Sequence, residues 1–255
     1  MEKIRIGLLG FGKTGKLVAN EFIKDEAFSL SWVVRKTATD HHDYASRVLG
    51  YEYDCGKLFS VEELDHNFRM ENPVDALVDF SSSDGVRLYK NIIGKKVPVI
   101  TAISNYEPAD LDLLNSIAEH APVLYSPNIT LGINVLMVAA QIIQKIAPHA
   151  DIEIVEEHFK AKSEVSGTAK RIAGVLDLNP KTHINSIRVG GIVGRHEIIF
   201  GLPNQTIRLS HESISRAAFG QGAIFAAKAI LGKPPGMYTM ENIIAKMFEQ
   251  NIPVY

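Results

Sequence analysis

The sequence has a single cysteine, Cys55, so no internal disulfide can staple the chain, and its thiol usage fits a reducing compartment. It has no surplus of either charge, with 27 Lys and Arg against 29 Asp and Glu. Nothing is then available for counterion release on a phosphate polymer, and nucleic acid is not expected as a partner. It has no apolar run of the roughly 18 residues needed to cross a bilayer. The longest apolar helix, near Gly132 to Ile143, is interrupted by Asn134 and Gln141. No export segment is read at the start, because the apolar stretch after Met1-Glu2-Lys3 stops at Gly10. A cytoplasmic protein without membrane contact is therefore expected. Repeats, low-complexity linkers and a G-x-S-x-G nucleophile elbow are all missing. Asp40-His41-His42-Asp43 carries metal-capable groups, but neighbours on a polar segment rarely converge on one ion, so no metal site is expected. What remains is 255 residues, 46% hydrophobic and 22% charged, the balance of a soluble protein with one large or two modest domains.

Residues 1–127 alternate between the two periods. Strands are expected at Ile4 to Leu9, Phe28 to Val34, Val74 to Phe80, Val97 to Ala102 and Pro122 to Ser126, with helices at Lys13 to Lys24 and Asp110 to His120. Alternating strands and helices predict an α/β fold, a doubly wound Rossmann-type parallel sheet. After Pro127 the pattern changes. A long helix, Gly132 to Ile146, precedes a strand at Ile152 to Glu157 and a helix at Ser166 to Leu176. Three strand-like stretches follow, then helices at Ala217 to Leu231 and Met240 to Phe248. This predicts a second α+β domain over 128–215 with a mixed or antiparallel sheet, and a segment 216–255 that packs back on the dinucleotide-binding domain 1–127.

Gly10-Phe11-Gly12-Lys13-Thr14-Gly15 is a G-x-G-x-x-G between a strand and a helix, the context a dinucleotide site requires. Gly10 allows the tight turn, Gly12 lets a pyrophosphate approach the backbone, and Gly15 lets the helix pack on the strand. The second strand ends in Arg35-Lys36 rather than the acid that binds a ribose 2′-hydroxyl. Two cations suit a 2′-phosphate, so NADPH is expected, with NADH possible but weaker. Loops after the later strands, at Ser81, at Thr101-Ala102-Ile103 and at Pro127-Asn128-Ile129-Thr130, are expected to line the crevice, because ligands bind outside the carboxyl ends of such strands.

The second domain's chemistry gathers in Glu156-Glu157-His158-Phe159-Lys160-Ala161-Lys162-Ser163-Glu164-Val165-Ser166-Gly167-Thr168-Ala169. A strand delivers His158 to a loop, Lys162 follows, and Ser166-Gly167-Thr168 opens a helix whose N-terminus can cradle a carboxylate. A capped helix beside a surface His and Lys remains the alternative at this point.

This segment resembles the 4-hydroxy-tetrahydrodipicolinate reductase (dihydrodipicolinate reductase) family, whose signature reads roughly E-x-H-H-x-x-K-x-D-A-P-S-G-T-A. Further similarity runs in family order through Val78-Asp79-Phe80-Ser81, Gly132-Ile133-Asn134-Val135, Arg188-Val189-Gly190-Gly191-Ile192-Val193-Gly194-Arg195-His196-Glu197 and Phe219-Gly220-Gln221-Gly222. The resemblance implies an NAD(P)H-dependent oxidoreductase of lysine and diaminopimelate biosynthesis that reduces a cyclic imine or enamine dicarboxylate. It implies that His158 and Lys162 handle the proton, that Ser166, Gly167 and Thr168 hold a substrate carboxylate, and that the protein is a homotetramer. Three positions depart from the family. Phe159 stands in place of the second histidine, the segment before Ser166 is one residue shorter and lacks Asp-Ala-Pro, and the glycine-rich loop near the nicotinamide reads Thr101-Ala102-Ile103-Ser104-Asn105. A related NADPH-dependent reductase with another imine or carbonyl substrate, and a non-catalytic NADP-binding regulatory protein, are the competing readings.

Overall fold

The computed structural model describes residues 2–37 and 42–252. Asp40 and His41 therefore lie outside the described residues. In chain order the elements are β1 (Ile4–Leu9), α1 (Lys13–Lys24), β2 (Phe28–Arg35), α2 (Ala45–Val48), β3 (Lys57–Ser60), α3 (Phe68–Glu71), β4 (Ala76–Asp79), α4 (Tyr89–Ile92), β5 (Val99–Thr101), α5 (Pro108–Ala118) and β6 (Pro122–Tyr125). They continue as α6 (Leu131–Ile146), β7 (Asp151–His158), α7 (Gly167–Val175), α8 (Pro180–His183), β8 (Ile184–Arg188), β9 (Arg195–Leu202), β10 (Gln205–Glu212), α9 (Ala218–Ile230), β11 (Gly236–Tyr238) and α10 (Met240–Gln250). The chain forms two compact units. One comprises Met1–Thr130 with Ala217–Ile243, the other Leu131–Arg216 with Ile244–Tyr255.

The first unit is a seven-stranded parallel sheet, ordered β11-β6-β5-β4-β1-β2-β3. The order reverses beside β1, which makes a switch point at the carboxyl ends of β1 and β4. Strands covered on both faces read as nearly continuous apolar runs, and Ala76–Asp79 is buried at every position, with Asp79 at its end the one polar residue. Beneath the sheet Trp32 meets Phe68 edge to face, and its indole donates to Asn72 O at 3.0 Å. A side chain at Gly7 would sit 2.3 Å from the Trp32 ring, so only glycine fits there. β3 and β11 are additions to the expected strands. Each is four residues or fewer, too short to show a period.

The second unit is a four-stranded mixed sheet, ordered β10-β9-β7-β8, with only β7 and β8 parallel. Along β7 burial alternates strictly, with residues 152, 154, 156 and 158 inward. Ile152, Ile154, Ile198 and Phe200 form a core with Ile133, Met137 and Ala140 of α6 and Ala169, Ile172 and Ala173 of α7. The opposite face carries a charge ladder in which Arg195 pairs with Glu157 and Glu197, and Arg208 with Glu197. Among the described residues no helix is long and apolar enough to cross a membrane.

Candidate active site

In the first unit the site is made largely of backbone. Gly10 adopts φ +99°, and a Cβ there would lie 2.6 Å from Phe80 O. At Gly15 a Cβ would lie 2.2 Å from Gly10 O, so this glycine lets α1 pack against the turn, whereas Gly12 faces open space. Gly12 is also the N-cap, no side chain caps the helix, and its first turn holds no acid. Uncapped amides at a helix N-terminus with room above them fit a phosphate. A neighbouring cavity of about 430 Å³ is lined by Gly10, Arg35, Lys36, Ser81, Ser82, Asp84 and Arg87, among others. A second, of about 360 Å³, brings together Thr14, Ser81, Ala102, Ile103 and Pro127 with Ser82, Ser83, Asn105 and Phe219. The residues present therefore fit a dinucleotide, with the cations beside the first cavity.

Several expected crevice residues are not among the side chains that line the two cavities. Phe11 is buried, with the Lys16 ammonium 5.4 Å from its ring centroid. Lys13 is exposed. The Thr101 side chain points into the core, where its hydroxyl shares a 2.7 Å hydrogen bond with Tyr106, so it does not crowd the crevice. Ile129 and Thr130 are buried, and Asn128 O accepts from Ser126 Oγ at 2.8 Å. Arg87 and Ser82 join the linings without a signal in the sequence, and Asn105 joins them from the loop that begins at Thr101. Arg87 comes from a 3₁₀ turn over Ser83–Leu88 and forks onto Asp110 at 2.6 and 2.9 Å. Beneath the loop at Ser81, Asp79 is fully buried and accepts from Ser81 N, Ser81 Oγ and Tyr89 Oη at 2.6–2.8 Å. Burial, with no cation to offset it, pushes this carboxyl up to about 6.

In the second unit the site is made of side chains. The inward face of β7 changes from Ile152 and Ile154 to Glu156 and His158. In register beside it, β9 changes from Phe200 and Ile198 to His196. The apolar core thus becomes polar at one end of the sheet. Glu156 is fully buried and accepts from Ser186 Oγ at 2.6 Å, from Arg188 Nη2 at 2.6 Å and Nη1 at 3.0 Å, and from His158 Nδ1. Burial opposes its charge, but these hydrogen bonds prevail and hold it at about 2. A carboxylate on Nδ1 fixes the His158 tautomer and leaves Nε2 for exchange. A Cβ at Gly194 would approach that Nε2 to 3.0 Å.

Ser166, the N-cap of α7, is buried and bonds through Oγ to His196 Nε2 at 3.0 Å. His196 is pushed down to about 4 by burial and by the nearby His158, so it is neutral at neutral pH. Its Nδ1 is buried without a hydrogen-bond partner. Gly167 faces open space and Thr168 is half-buried at the same helix start. Lys162 is half-buried in the connecting loop, its N–H donating to Phe159 O at 3.0 Å, and Phe159 itself is 39% exposed. The unit thus holds His158, Lys162, Ser166, Gly167 and Thr168 on adjoining segments. It adds Glu156, Ser186, Arg188 and His196 to the site; Glu156 opens the signature and Arg188 and His196 lie in the similar stretch 188–197, but the sequence assigns none of them a role. The strand parity of Glu156 and His158 is the signal that would have found the first of these. Among the described residues, no three His, Cys, Asp or Glu side chains gather as a metal site.

Comparison with known proteins fits this arrangement. Family models match nearly end to end: dihydrodipicolinate reductase, N-terminus, over residues 4–129, and dihydrodipicolinate reductase, C-terminus, over residues 132–244. The chain belongs to the dihydrodipicolinate reductase family. It is an NAD(P)H-dependent oxidoreductase with the family's α/β fold. The 4-hydroxy-tetrahydrodipicolinate reductase of Caldanaerobacter subterraneus is 34% identical over 199 residues, covering 69% of this chain and 79% of the relative. That of Wigglesworthia glossinidia brevipalpis is 28% identical over 268 residues, covering 98% of each. Among solved structures, the dipicolinate-bound dihydrodipicolinate reductase of Paenisporosarcina shares the fold with a TM-score of 0.76 at 20% identity, covering 95% of this chain and all of the other. Diaminopimelate dehydrogenase of C. glutamicum is more distant in shape, with a TM-score of 0.59 at 11% identity, covering 99% of this chain and all of the other.

Proposed function

We propose that the protein reduces a cyclic imine or enamine dicarboxylate of the dihydrodipicolinate type to tetrahydrodipicolinate, with NADPH preferred, in lysine and diaminopimelate biosynthesis. The observation that carries the reading is the His158–Glu156 pair beside Lys162 and the open start of α7, in a chain that carries the family's models at both ends. The dinucleotide supplies the hydride when bound. Gly10, Gly12 and Gly15 with the first turn of α1 hold its pyrophosphate, and Arg35, Lys36 and Arg87 favour a 2′-phosphate. Ser81, Ala102, Ile103 and Pro127 line the crevice toward the reacting end.

The substrate is a dianion. The amides of Gly167 and Thr168 and the hydroxyl of Thr168 take one carboxylate, while Ser166 is oriented by neutral His196. Lys162 stabilises the charge that moves onto the ring as it is reduced and delivers a proton. His158, its proton held on Nδ1 by Glu156, exchanges protons through Nε2.

The protein acts in the cytoplasm as a homotetramer, assembled through the sheet of the second unit. Ile187, Val189 and Ile207 are exposed there and edge strands are costly to leave open. Light scattering at micromolar concentration tests this, and a lone monomer would contradict it. Exposed Phe159 favours a second reading, in which the substrate is a different imine or carbonyl compound. Turnover of NADPH with synthase-generated dihydrodipicolinate decides between the two. Oxidation of NADPH with tetrahydrodipicolinate as product is expected. No turnover, together with no gain in Phe159→His, would overturn the substrate assignment.

A further inference from the structure

Arg188 ends β8 directly opposite His158 in the parallel register. A guanidinium has five N–H donors, and here every one is engaged. Nη1 and Nη2 fork onto the two oxygens of Glu156 at 3.0 and 2.6 Å. Nη1 also donates to Ile187 O at 2.9 Å, Nε to Lys162 O at 2.9 Å, and Nη2 to Glu164 O at 2.9 Å. Neutralising a buried carboxylate needs only the fork. The remaining bonds reach main-chain carbonyls, two of them in the loop that carries Lys162.

Apart from Val165, which packs on the core at its end, that loop is lightly held. Residues 159–165 contain no proline, and Phe159, Lys160, Ala161, Ser163 and Glu164 are all exposed. Its other backbone bonds are Lys162 N to Phe159 O and Lys160 N to Gly190 O, both 3.0 Å. Meanwhile Glu156, the other end of the guanidinium's reach, holds the His158 ring. One planar group therefore spans both proton-handling residues. Lysine, with three donors on a single nitrogen, keeps the charge but cannot reproduce the fork and both carbonyl contacts.

We infer that Arg188 is a positioning residue of the active site, fixing the Lys162 loop relative to the Glu156–His158 pair. The inference deepens the reductase reading and rests on it wherever turnover is measured. The test uses the full-length protein. Arg188→Lys retains the positive charge beside Glu156, so the melting temperature is expected to stay near the parent's and NADPH affinity to change less than about twofold. Displacing a reacting group by about 1 Å commonly costs on the order of 10²-fold. On that basis kcat should fall roughly 10–100-fold, while amides 159–165 exchange faster with solvent. A second variant, Glu156→Gln with Arg188→Met, removes both buried charges together and avoids leaving one unpaired. In it the ¹⁵N spectrum of the His158 ring should show mixed tautomers, and kcat should fall further than in Arg188→Lys. The inference is overturned if Arg188→Lys keeps the parent's kcat, or if exchange of the 159–165 amides is unchanged. The exchange measurement on Arg188→Lys needs no turnover, so it decides the positioning role even if the substrate assignment fails.

Discussion

Asp79 in the first unit and Glu156 in the second are both buried beneath a site, and the two behave in opposite ways. Asp79 and Glu156 are equally inaccessible to water. Asp79 meets only neutral donors, the Ser81 amide and hydroxyl and the Tyr89 phenol, and burial carries it up to about 6. Glu156 meets the Arg188 fork, Ser186 and His158, and is held at about 2. Zero exposure alone therefore does not set ionisation; the depth of burial, greater at Asp79, and the charge and number of the donors together do. The contrast extends to the sites above. The first unit presents glycines, helix amides and strand-end loops, which suit holding a ligand. The second presents a carboxylate held charged at neutral pH that orients an imidazole, which suits moving a proton.

The largest effect that separates the two units is expected for His158→Ala. Turnover should fall roughly 10²–10⁴-fold, the usual loss for a positioned proton-transfer group, with NADPH affinity nearly intact. Stopped-flow turnover together with a fluorescence titration of the cofactor checks both halves. Loss of cofactor binding in this variant would break the division between holding and proton transfer.

Next come the glycines. Gly15→Ala forces a Cβ against the carbonyl of Gly10. It should cost about 1–3 kcal/mol of stability and weaken NADPH binding as well. Gly12→Ala meets no protein atom within 4 Å, so it should weaken NADPH binding while the melting temperature holds. Calorimetry with and without cofactor distinguishes the two, and equal behaviour would contradict the backbone-built site.

The carboxylates give a comparison by pH. Asp79 is raised in the folded protein, so the stability it contributes is full below about 3.8 and is lost as pH rises through about 6. Glu156 is lowered, so its contribution is present above about 4.5 and is lost as pH falls toward 2. Each shift corresponds to a few kcal/mol, on the order of 1.4 kcal/mol per pH unit. Relative to the parent, Asp79→Asn should gain stability as pH rises from about 3.8 to about 6 and keep that gain above it, while Glu156→Gln should lose most above about pH 4.5. Melting temperatures across pH 3–8 measure both, and parallel profiles would remove the contrast.

The most localised effect expected is on cofactor choice. Arg35→Ala should weaken NADPH by about 1.5–3 kcal/mol, the value of a charge-assisted contact, and leave NADH almost unchanged. Dissociation constants for both cofactors test it; equal losses would mean that Arg35 does not read the 2′-phosphate.

How much of this was legible in the sequence follows the same division. The first unit's strands were readable because buried parallel strands are apolar runs, and its glycine turn because the motif is local. The short strands Lys57–Ser60 and Gly236–Tyr238 were not, since they pair only once the sheet exists. In the second unit His158, Lys162 and the Ser166-Gly167-Thr168 start lie on one stretch of chain and were found together. Glu156 and His196 lie in stretches that resemble the family, but Glu156 meets His196 and Ser186 only through sheet register, across 40 and 30 residues, and no local pattern shows that pairing. Arg87 likewise reaches the cavity of Arg35 only by way of the crossover turn.

The central claim is that the first unit holds the dinucleotide while the second carries out proton transfer on a dicarboxylate. Lys162→Ala tests it most directly, by steady-state turnover with NADPH and synthase-generated dihydrodipicolinate alongside a titration of NADPH affinity. The account predicts a kcat lower by roughly 10²–10⁴-fold, a raised KM for the dicarboxylate and an unchanged NADPH dissociation constant. Turnover equal to the parent's, or a loss of NADPH affinity as large as the loss of turnover, would contradict it.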